Sequence, residues 1–274
     1  MTTSPIQISV VIPCYNQEQY IAEALDSVLA QTFNGYEIIV VNDGSVDSSQ
    51  RIIEQYVAEH PGKITLINQQ NQGVISTRNN GIAAARGTYI YPLDGDDKIH
   101  PECLQQLYEA MVAGKGDVIY SDTECFGERT GLFELPKATK WNMLHHSCVV
   151  CSALYRKADW EKYGGYDQGC RVCGCEDWEF WLNFVLDNKH FHKVEKPPLY
   201  YRHLATSRTT DAQLPESQKI RIRHLRQKYG YRFYLGYLLG EFRRFLFQKK
   251  KTRKGYTIIK ICRIPVWYGK TPQK

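Results

Sequence analysis

The 274-residue chain lacks several features that would place it quickly. It has no run of about 18 apolar residues, so no segment reads as a membrane span. Its opening, Met1-Thr-Thr-Ser-Pro-Ile-Gln7, lacks the basic and apolar regions of a secretory signal, and a cytoplasmic protein is expected. Neither Gly-x-Gly-x-x-Gly nor Gly-x-x-x-x-Gly-Lys-Ser/Thr occurs, which removes the usual signals of dinucleotide and P-loop sites. Internal repeats and low-complexity linkers are absent too. Acid is almost missing from one region. Residues 219–274 hold 17 Lys and Arg against Glu241 alone, whereas residues 1–218 hold 18 against 28 acids. The net charge of +6 therefore hides an acidic body, 1–218, and a basic extension, 219–274. A basic extension implies an anionic partner, either a membrane surface or a nucleic acid.

What is present reads as a large domain. Hydrophobic residues make up 43% of the chain, ample for a core. Ile8–Ile12, Tyr36–Val41 and Ile64–Ile67 are short β-branched runs that read as strands. Helices follow them, with Ile21, Ala24, Leu25, Val28 and Leu29 on one face, then Asp47–Glu59, capped by Ser45 or Asp47, then Val74–Ala85. The alternation predicts an α/β fold with a doubly wound, mostly parallel sheet. Further on, Pro101–Ala113 and Glu176–Asp187 read as helices. Asp117–Ser121, Ser147–Tyr155 and Leu199–His203 read as strands, and 123–140 as a polar loop region.

The chain is organised around Tyr91-Pro92-Leu93-Asp94-Gly95-Asp96-Asp97, where a β-rich run ends in three carboxylates. Clustered negative charge needs a cation or hydrogen-bond donors to be tolerated. The carboxyl edge of an α/β sheet is where ligands bind. Hard divalent cations take oxygen ligands, often one or two carboxylates plus substrate phosphates. Asp94 and Asp96 thus read as a metal–diphosphate site. The plainer reading is an acidic turn with Asp97 capping the next helix. Tyr15, Asn16, Asp43 and Asn71 follow earlier strands and can converge on the same edge.

Val10-Val-Ile-Pro-Cys-Tyr-Asn16, Val40-Val-Asn-Asp-Gly-Ser45, Asn71-Gln-Gly73 with Ser76-Thr-Arg-Asn-Asn-Gly81, and Leu93-Asp-Gly-Asp-Asp97 resemble family 2 glycosyltransferases. Glu176-Asp177-Trp178 and Tyr201-Arg-His203 stand where that family has its acid pair and a metal-side histidine. The resemblance runs from about Ile8 to Ser207 and leaves the extension outside. It implies a GT-A fold and inverting transfer of a sugar from a nucleotide donor, a UDP-sugar foremost, to a glycan or lipid-linked acceptor. Cell-surface polysaccharide or lipopolysaccharide synthesis is the implied setting. By position, Pro13 and Tyr15 line the base pocket and Asp43 receives the base. Arg78 lies near the nucleotide and Asp94 contacts ribose or sugar. Asp96, with His203 beyond it, binds Mn²⁺ or Mg²⁺. Asp177 is the general base, with Glu176 beside it in the substrate site. A nucleotidyltransferase would want a Gly-rich basic loop after the first strand, but Cys14–Tyr20 has no Gly, Lys or Arg.

In the extension, Leu235, Leu238, Leu239, Phe242, Phe245 and Leu246 share one helical face, with Lys249-Lys-Lys-Thr-Arg-Lys254 following. That pattern predicts a helix lying on the inner face of a membrane, and no nucleic-acid motif accompanies it. Nine cysteines and no export signal imply reduced thiols. Cys148-x₂-Cys151 and Cys170-x₂-Cys173 have the spacing of a zinc site, but Cys is also common in cores, and both readings stay open.

Overall fold

In the computed structural model, which describes residues 5–172, 174–204, 215–251, 256–261 and 264–270, strand and helix alternate from the start. The order is β1 (Ile8–Cys14), α1 (Ile21–Leu29), β2 (Tyr36–Asn42), α2 (Ser49–Glu59), β3 (Ile64–Asn68), α3 (Val74–Ala84) and β4 (Tyr89–Pro92). These four strands pair in parallel in the order β3-β2-β1-β4. Register brings Cys14 opposite Asn42, and Asn42 opposite Asn68, so the strands end on one edge. β1 and β2 are buried at every position because both faces are covered, which explains their continuous apolar runs. Val10 and Ile12 enter one core with Ile21 and Leu25 of α1, while Val11 enters the other with Ile75 and Ile82 of α3. Asp47 supports the start of α2, its Oδ1 accepting the Ser49 N–H at 2.9 Å.

The second half departs from the expected parallel pattern. After β5 (Lys98–Ile99) and α4 (Cys103–Val112) come β6 (Val118–Gly127), β7 (Gly131–Leu132) and α5 (Lys140–His145). Then follow β8 (Ala153–Arg156), α6 (Lys157–Tyr163), a 3₁₀ turn (Gln168–Val172), α7 (Glu176–Leu186) and β9 (Phe191–His203). β8 is antiparallel to both β4 and β6, and β5 to β9, so short antiparallel ladders join a sheet whose long ladders are parallel, as expected. The run Ser147–Tyr155 is strand only from Ala153. Its first part is a buried loop whose apolar residues serve the core without pairing. β9 is longer than Leu199–His203, and β6 runs on to Gly127, because the two lie side by side in parallel.

The expected boundary between 218 and 219 falls inside α8 (Pro215–Leu246), which is broken at Gly230 (φ 61°). α8 docks on the body. Leu225 and Phe233 are fully buried, the Phe233 ring meets Trp178 edge-on at 6.0 Å, and Tyr237 stacks on His145 at 5.3 Å. The extension is also not helical throughout. β10 (Phe247–Lys251), β11 (Tyr256–Ile261) and β12 (Ile264–Lys270) form an antiparallel sheet, consistent with β-branched residues such as Thr257, Ile258 and Ile259 in β11.

Close helix–sheet packing at α3 holds the cleft edge in place. A Cβ on Gly81 would lie 2.5 Å from Val11 Cγ1 and 3.0 Å from Val41 Cγ2, both on fully buried side chains. Gly81→Ala would gain about 1 kcal/mol of helix propensity but cost about 1–3 kcal/mol of overpacking. A net loss of stability is expected, read as a lower urea midpoint at unchanged slope. A raised midpoint would show that the sheet can yield.

Candidate active site

The strand ends open onto a cleft of about 1210 Å³. One wall comes from the parallel half: Pro13 and Tyr15 after β1, Asp43 after β2, Gly73 and Arg78 of α3, and Asp94–Asp97 after β4. The other wall comes from the second half, with Val149–Ser152, Arg171, Glu176–Trp178, Tyr201 and Arg202. Tyr15 is half exposed on the rim, and Asn16 beside it takes a left-handed backbone, φ 51°.

Asp43 is buried yet borders the cleft. Its Oδ1 accepts from Gln69 Nε2 at 2.7 Å and the Gln72 N–H at 2.8 Å, and its Oδ2 accepts the Gly73 N–H at 2.9 Å. A carboxylate offers about four lone-pair sites, so three are engaged in shaping the turn into α3. One remains for a ligand donor.

Arg78 is the centre of the site. It is 1% exposed, on the inner face of α3, and reaches three carboxylates. Nη2 lies 2.6 Å from Asp94 Oδ1, and Nη1 lies 3.1 Å from Asp177 Oδ1 and 3.5 Å from Glu176 Oε1. Burial opposes its charge, but Asp94 foremost, then Asp177 and Glu176, outweigh it and hold its pKa well above the usual value. Cys151 Sγ donates to Asp94 Oδ2 at 3.5 Å. Burial, helped by the Asp94 charge, pushes that thiol far up, so it stays a donor. Arg78 therefore joins the acidic turn of the first half to the start of α7 in the second. Where the resemblance implied a place near the nucleotide, the structure has Arg78 buried at the cleft, clamping these carboxylates together.

The acidic turn is stabilised in three ways. Asp94 is paired with Arg78. Asp97 is buried, and burial with the neighbouring charges of Asp94 and Asp96 raises its pKa well above the carboxylate range. It does not cap α4; its Oδ1 accepts the Arg202 backbone N–H at 2.8 Å, which ties β9 to the turn. Asp96 lies half-buried on the cleft wall, its backbone carbonyl accepting from Arg202 Nε at 2.8 Å. Gly95 has a spatial reason rather than a need for freedom: a Cβ there would come 2.2 Å from Gln17 Oε1 and 3.1 Å from the Pro13 carbonyl.

Of the residues expected from sequence, Pro13, Tyr15, Asp43, Arg78, Asp94, Asp96, Glu176 and Asp177 all border the cleft. His203 does not, although Tyr201, Arg202 and Leu204 do, and its Nδ1 is buried without a hydrogen-bond partner. Trp178 borders the cleft and donates from Nε1 to the Met143 carbonyl at 2.6 Å, while Phe180 and Trp181 are core. Sequence reasoning missed Arg202 itself. Its guanidinium pairs with Glu23 and lies over the rings of Phe126 (4.3 Å) and Tyr20 (4.7 Å). The available signal was its place in Tyr201-Arg-His203, next to the histidine that drew the attention. Cys151 was read as a zinc ligand or a core residue, and Arg171 and Arg221, also on the cleft, were read only as charge.

The residues present suit a hard divalent cation. Asp94 and Asp96 offer oxygen donors at the sheet edge, and the neighbouring Asp97 already shows the effect of their charge.

Comparison with known proteins follows the same lines. A family profile described as "Glycosyl transferase family 2" matches residues 9–175, ending just short of Asp177. The chain is 45% identical over 112 residues to the uncharacterized glycosyltransferase EpsJ of Bacillus subtilis, covering 41% of this chain and 32% of that protein. It is 31% identical over 205 residues to the minor teichoic acid biosynthesis protein GgaB of B. subtilis, covering 71% of this chain and 23% of that protein. The matches thus span less than a third of either relative. Among solved structures, S. aureus TarS 1-349 in complex with UDP-GlcNAc superposes with a TM-score of 0.71 at 21% identity, covering 88% of this chain and 73% of that one. That likeness establishes the fold.

Arg78 also yields a direct test. Removing one member of a buried ionic cluster costs about 3–5 kcal/mol because charge is left unpaired. Arg78→Ala should lose stability on that scale in urea unfolding. Arg78→Lys should fall between, since a point charge replaces a planar fork. A wild-type midpoint for Arg78→Ala would show that the three carboxylates do not depend on it.

Proposed function

The chain belongs to glycosyl transferase family 2, and from that premise we propose that it is a metal-dependent, inverting glycosyltransferase using a nucleoside-diphosphate sugar. One observation carries the reading: a buried Arg78 holds Asp94 of the acidic turn and Asp177 of α7 side by side on one cleft. Inversion needs a single in-line displacement, with a leaving diphosphate on one side and an activated hydroxyl on the other. This cleft has an acidic, cation-suited edge and a further carboxylate, Asp177, beside it.

The donor's base would lie against Pro13 and Tyr15, with the remaining lone pair of Asp43 accepting a base N–H. UDP is the proposed nucleotide, supported by the complex of the structural neighbour TarS with UDP-GlcNAc. Asp96, with Asp94 beside it, would hold Mn²⁺ or Mg²⁺, which as a Lewis acid offsets charge growing on the diphosphate. His203, between the cleft-lining Arg202 and Leu204, would serve only as a further metal or diphosphate contact. Asp177 would take the proton of the acceptor hydroxyl as that oxygen attacks the anomeric carbon, with no covalent enzyme intermediate. Its ion pair with Arg78 fixes the direction of the carboxylate. Glu176, buried and also facing Arg78, would support the pair rather than act on substrate. The acceptor is proposed to be a glycan or lipid-linked chain of a cell-surface polymer, a setting that the teichoic acid role in GgaB's name supports.

α8 supplies the proposed location. Its docking face, Leu225, Phe233 and Tyr237, is spent on the body, yet Leu235, Leu238, Leu239 and Phe242 are each more than two-fifths exposed. The apolar stripe expected from sequence is thus on the outside; Phe245 and Leu246 fall where side chains are not described, and the lysine run is described only to Lys251. An outward apolar face within a region of 17 cations and one acid suits an anionic membrane surface. No helix among the described residues is long and apolar enough to cross a membrane.

The activity is tested by nucleoside diphosphate release across a panel of nucleotide sugars. EDTA should abolish release and Mn²⁺ or Mg²⁺ restore it, and Asp177→Asn should lower turnover by about 10²–10⁴-fold with donor binding little changed. Full turnover in Asp177→Asn, or after exhaustive chelation, would remove the corresponding role.

The membrane role needs a variant that leaves docking intact. Serine at Leu235, Leu238, Leu239 and Phe242 should abolish co-sedimentation with vesicles containing anionic lipid. Wild-type binding should require that lipid and weaken with salt. Equal sedimentation of both forms would assign binding elsewhere, and a concentration-dependent dimer lost in the serine variant would make the face an interface between copies.

A further inference from the structure

Outside the cleft, the described residues hold one group of three potential metal-ligand side chains drawn together: Asp167, Cys170 and His224, whose ligand atoms all lie within 4.8 Å of one another. Cys175, on the cleft border, lies next to this group but not within it: its Sγ is 3.4 Å from that of Cys170. The expected pairing of Cys148 and Cys151 with Cys170 does not form. Cys148 points to the His146 carbonyl and Cys151 to Asp94, and neither shares a ligand-distance group with Cys170. Cys173 lies outside the described residues.

We propose that Asp167, Cys170 and His224 hold a structural zinc ion, with Cys175 turning its sulfur in from beside Cys170 as the fourth ligand. The donor types are those of zinc, two sulfurs with a nitrogen and an oxygen. Zn–S bonds of about 2.3 Å place two sulfurs about 3.8 Å apart across a tetrahedral edge, and 3.4 Å is close to that separation. The Asp167 Oδ2 to His224 Nε2 distance of 3.1 Å is close to the N–O edge, about 3.4 Å for bonds near 2.1 Å. Both sulfurs are buried, Cys170 completely.

A further detail points the same way. Gly169, between Asp167 and Cys170, leaves room for the His224 ring. A Cβ there would stand 2.5 Å from His224 Cε1 and 3.3 Å from its Nε2. The backbone is therefore bare where the imidazole of α8 comes against the 3₁₀ turn. Lys228 also approaches Asp167 Oδ2, at 2.8 Å, but it has a second partner in the fully buried Glu179 at 2.7 Å. The carboxylate can thus turn an oxygen to a metal without stranding the ammonium. Binding would release the two thiol protons to solvent, which leaves zinc on two thiolates, a neutral imidazole and a carboxylate.

The placement gives the ion a task. Cys175 is the residue before Glu176 and Asp177, and His224 belongs to α8, so the ion would pin the base-bearing start of α7 to the docked helix. That consequence rests on the glycosyltransferase reading, whereas metal binding itself does not.

The test is metal analysis of the full chain purified under reducing conditions, with zinc alone as the added probe. About one tightly held zinc per chain is expected, and cobalt substitution should give a thiolate-to-cobalt charge-transfer band with intense tetrahedral visible bands. Asp96→Asn should keep this zinc, which separates it from the cleft cation. Cys170→Ser and His224→Ala should lose it while circular dichroism shows them folded. Should those variants fail to fold, the wild-type cobalt spectrum decides alone. No zinc retained at micromolar concentration, a cobalt spectrum without thiolate character, or a Cys170–Cys175 disulfide in the purified chain would overturn the proposal.

Discussion

One guanidinium sets the terms for the rest of the molecule. Arg78 has no exposed surface to speak of, and its neighbours are Asp94, Glu176 and Asp177. Three carboxylates cannot stand that close in a buried setting without a cation, and a lone buried cation would be equally costly. The cluster therefore forms only when both halves of the chain are in place. Around it the polar groups are kept neutral. Burial raises the Cys151 thiol and the Tyr155 and Tyr166 phenols, so each can act as a donor without adding charge. The distance between the acidic turn and Asp177 is thereby set by the fold.

This also explains what the sequence could show. Strands β1 to β4 were legible because each is short, apolar and closed by Pro, Asn or Asp, and the mechanism that buries them is local. Asp94, Asp96 and Asp177 were legible because motif residues stand at the ends of such elements. Arg78 was named, but its partners lie 16, 98 and 99 residues away, a pairing with no local signature. The same reason hid the role of Asp97, which meets Arg202 across 105 residues, and the antiparallel placement of β8. Ser147–Ser152 looked like a strand because a buried loop and a buried strand have the same apolar composition. Gly95 and Gly81 look like freedom in a sequence and prove to be space.

The basic extension shows how one helical period can serve two surfaces. Phe233 and Tyr237 are four apart and face the body, while Leu235, Leu238, Leu239 and Phe242 lie on the other side. A helical wheel sees one broad apolar face and cannot say which part is covered. Polar contacts decide it: Lys228 reaches Asp167 and Glu179, Tyr229 donates to Asn183 Oδ1 at 3.0 Å, and Arg232 donates to the Leu186 carbonyl at 3.2 Å. These fix the rotation of α8, and the outward stripe follows.

The two walls of the cleft consequently answer to different constraints. One wall is made of strand ends in a parallel sheet buried on both faces, where a shift of one residue would displace Pro13, Asp43 and Asp94 together. The opposite wall is built from the loop before β8, the 3₁₀ turn, the start of α7 and β9, held by side-chain contacts of long sequence separation. Arg171 and Arg221 stand on that wall, as do the apolar Phe133, Leu135 and Trp178. A change there need not disturb the register of the first four strands. On the proposed reading, the nucleotide end of the reaction is fixed by backbone geometry, and the acceptor end by side chains. Arg78 pairs with a carboxylate on each wall, which is why, on that reading, the donor-side carboxylate and the base cannot be repositioned independently.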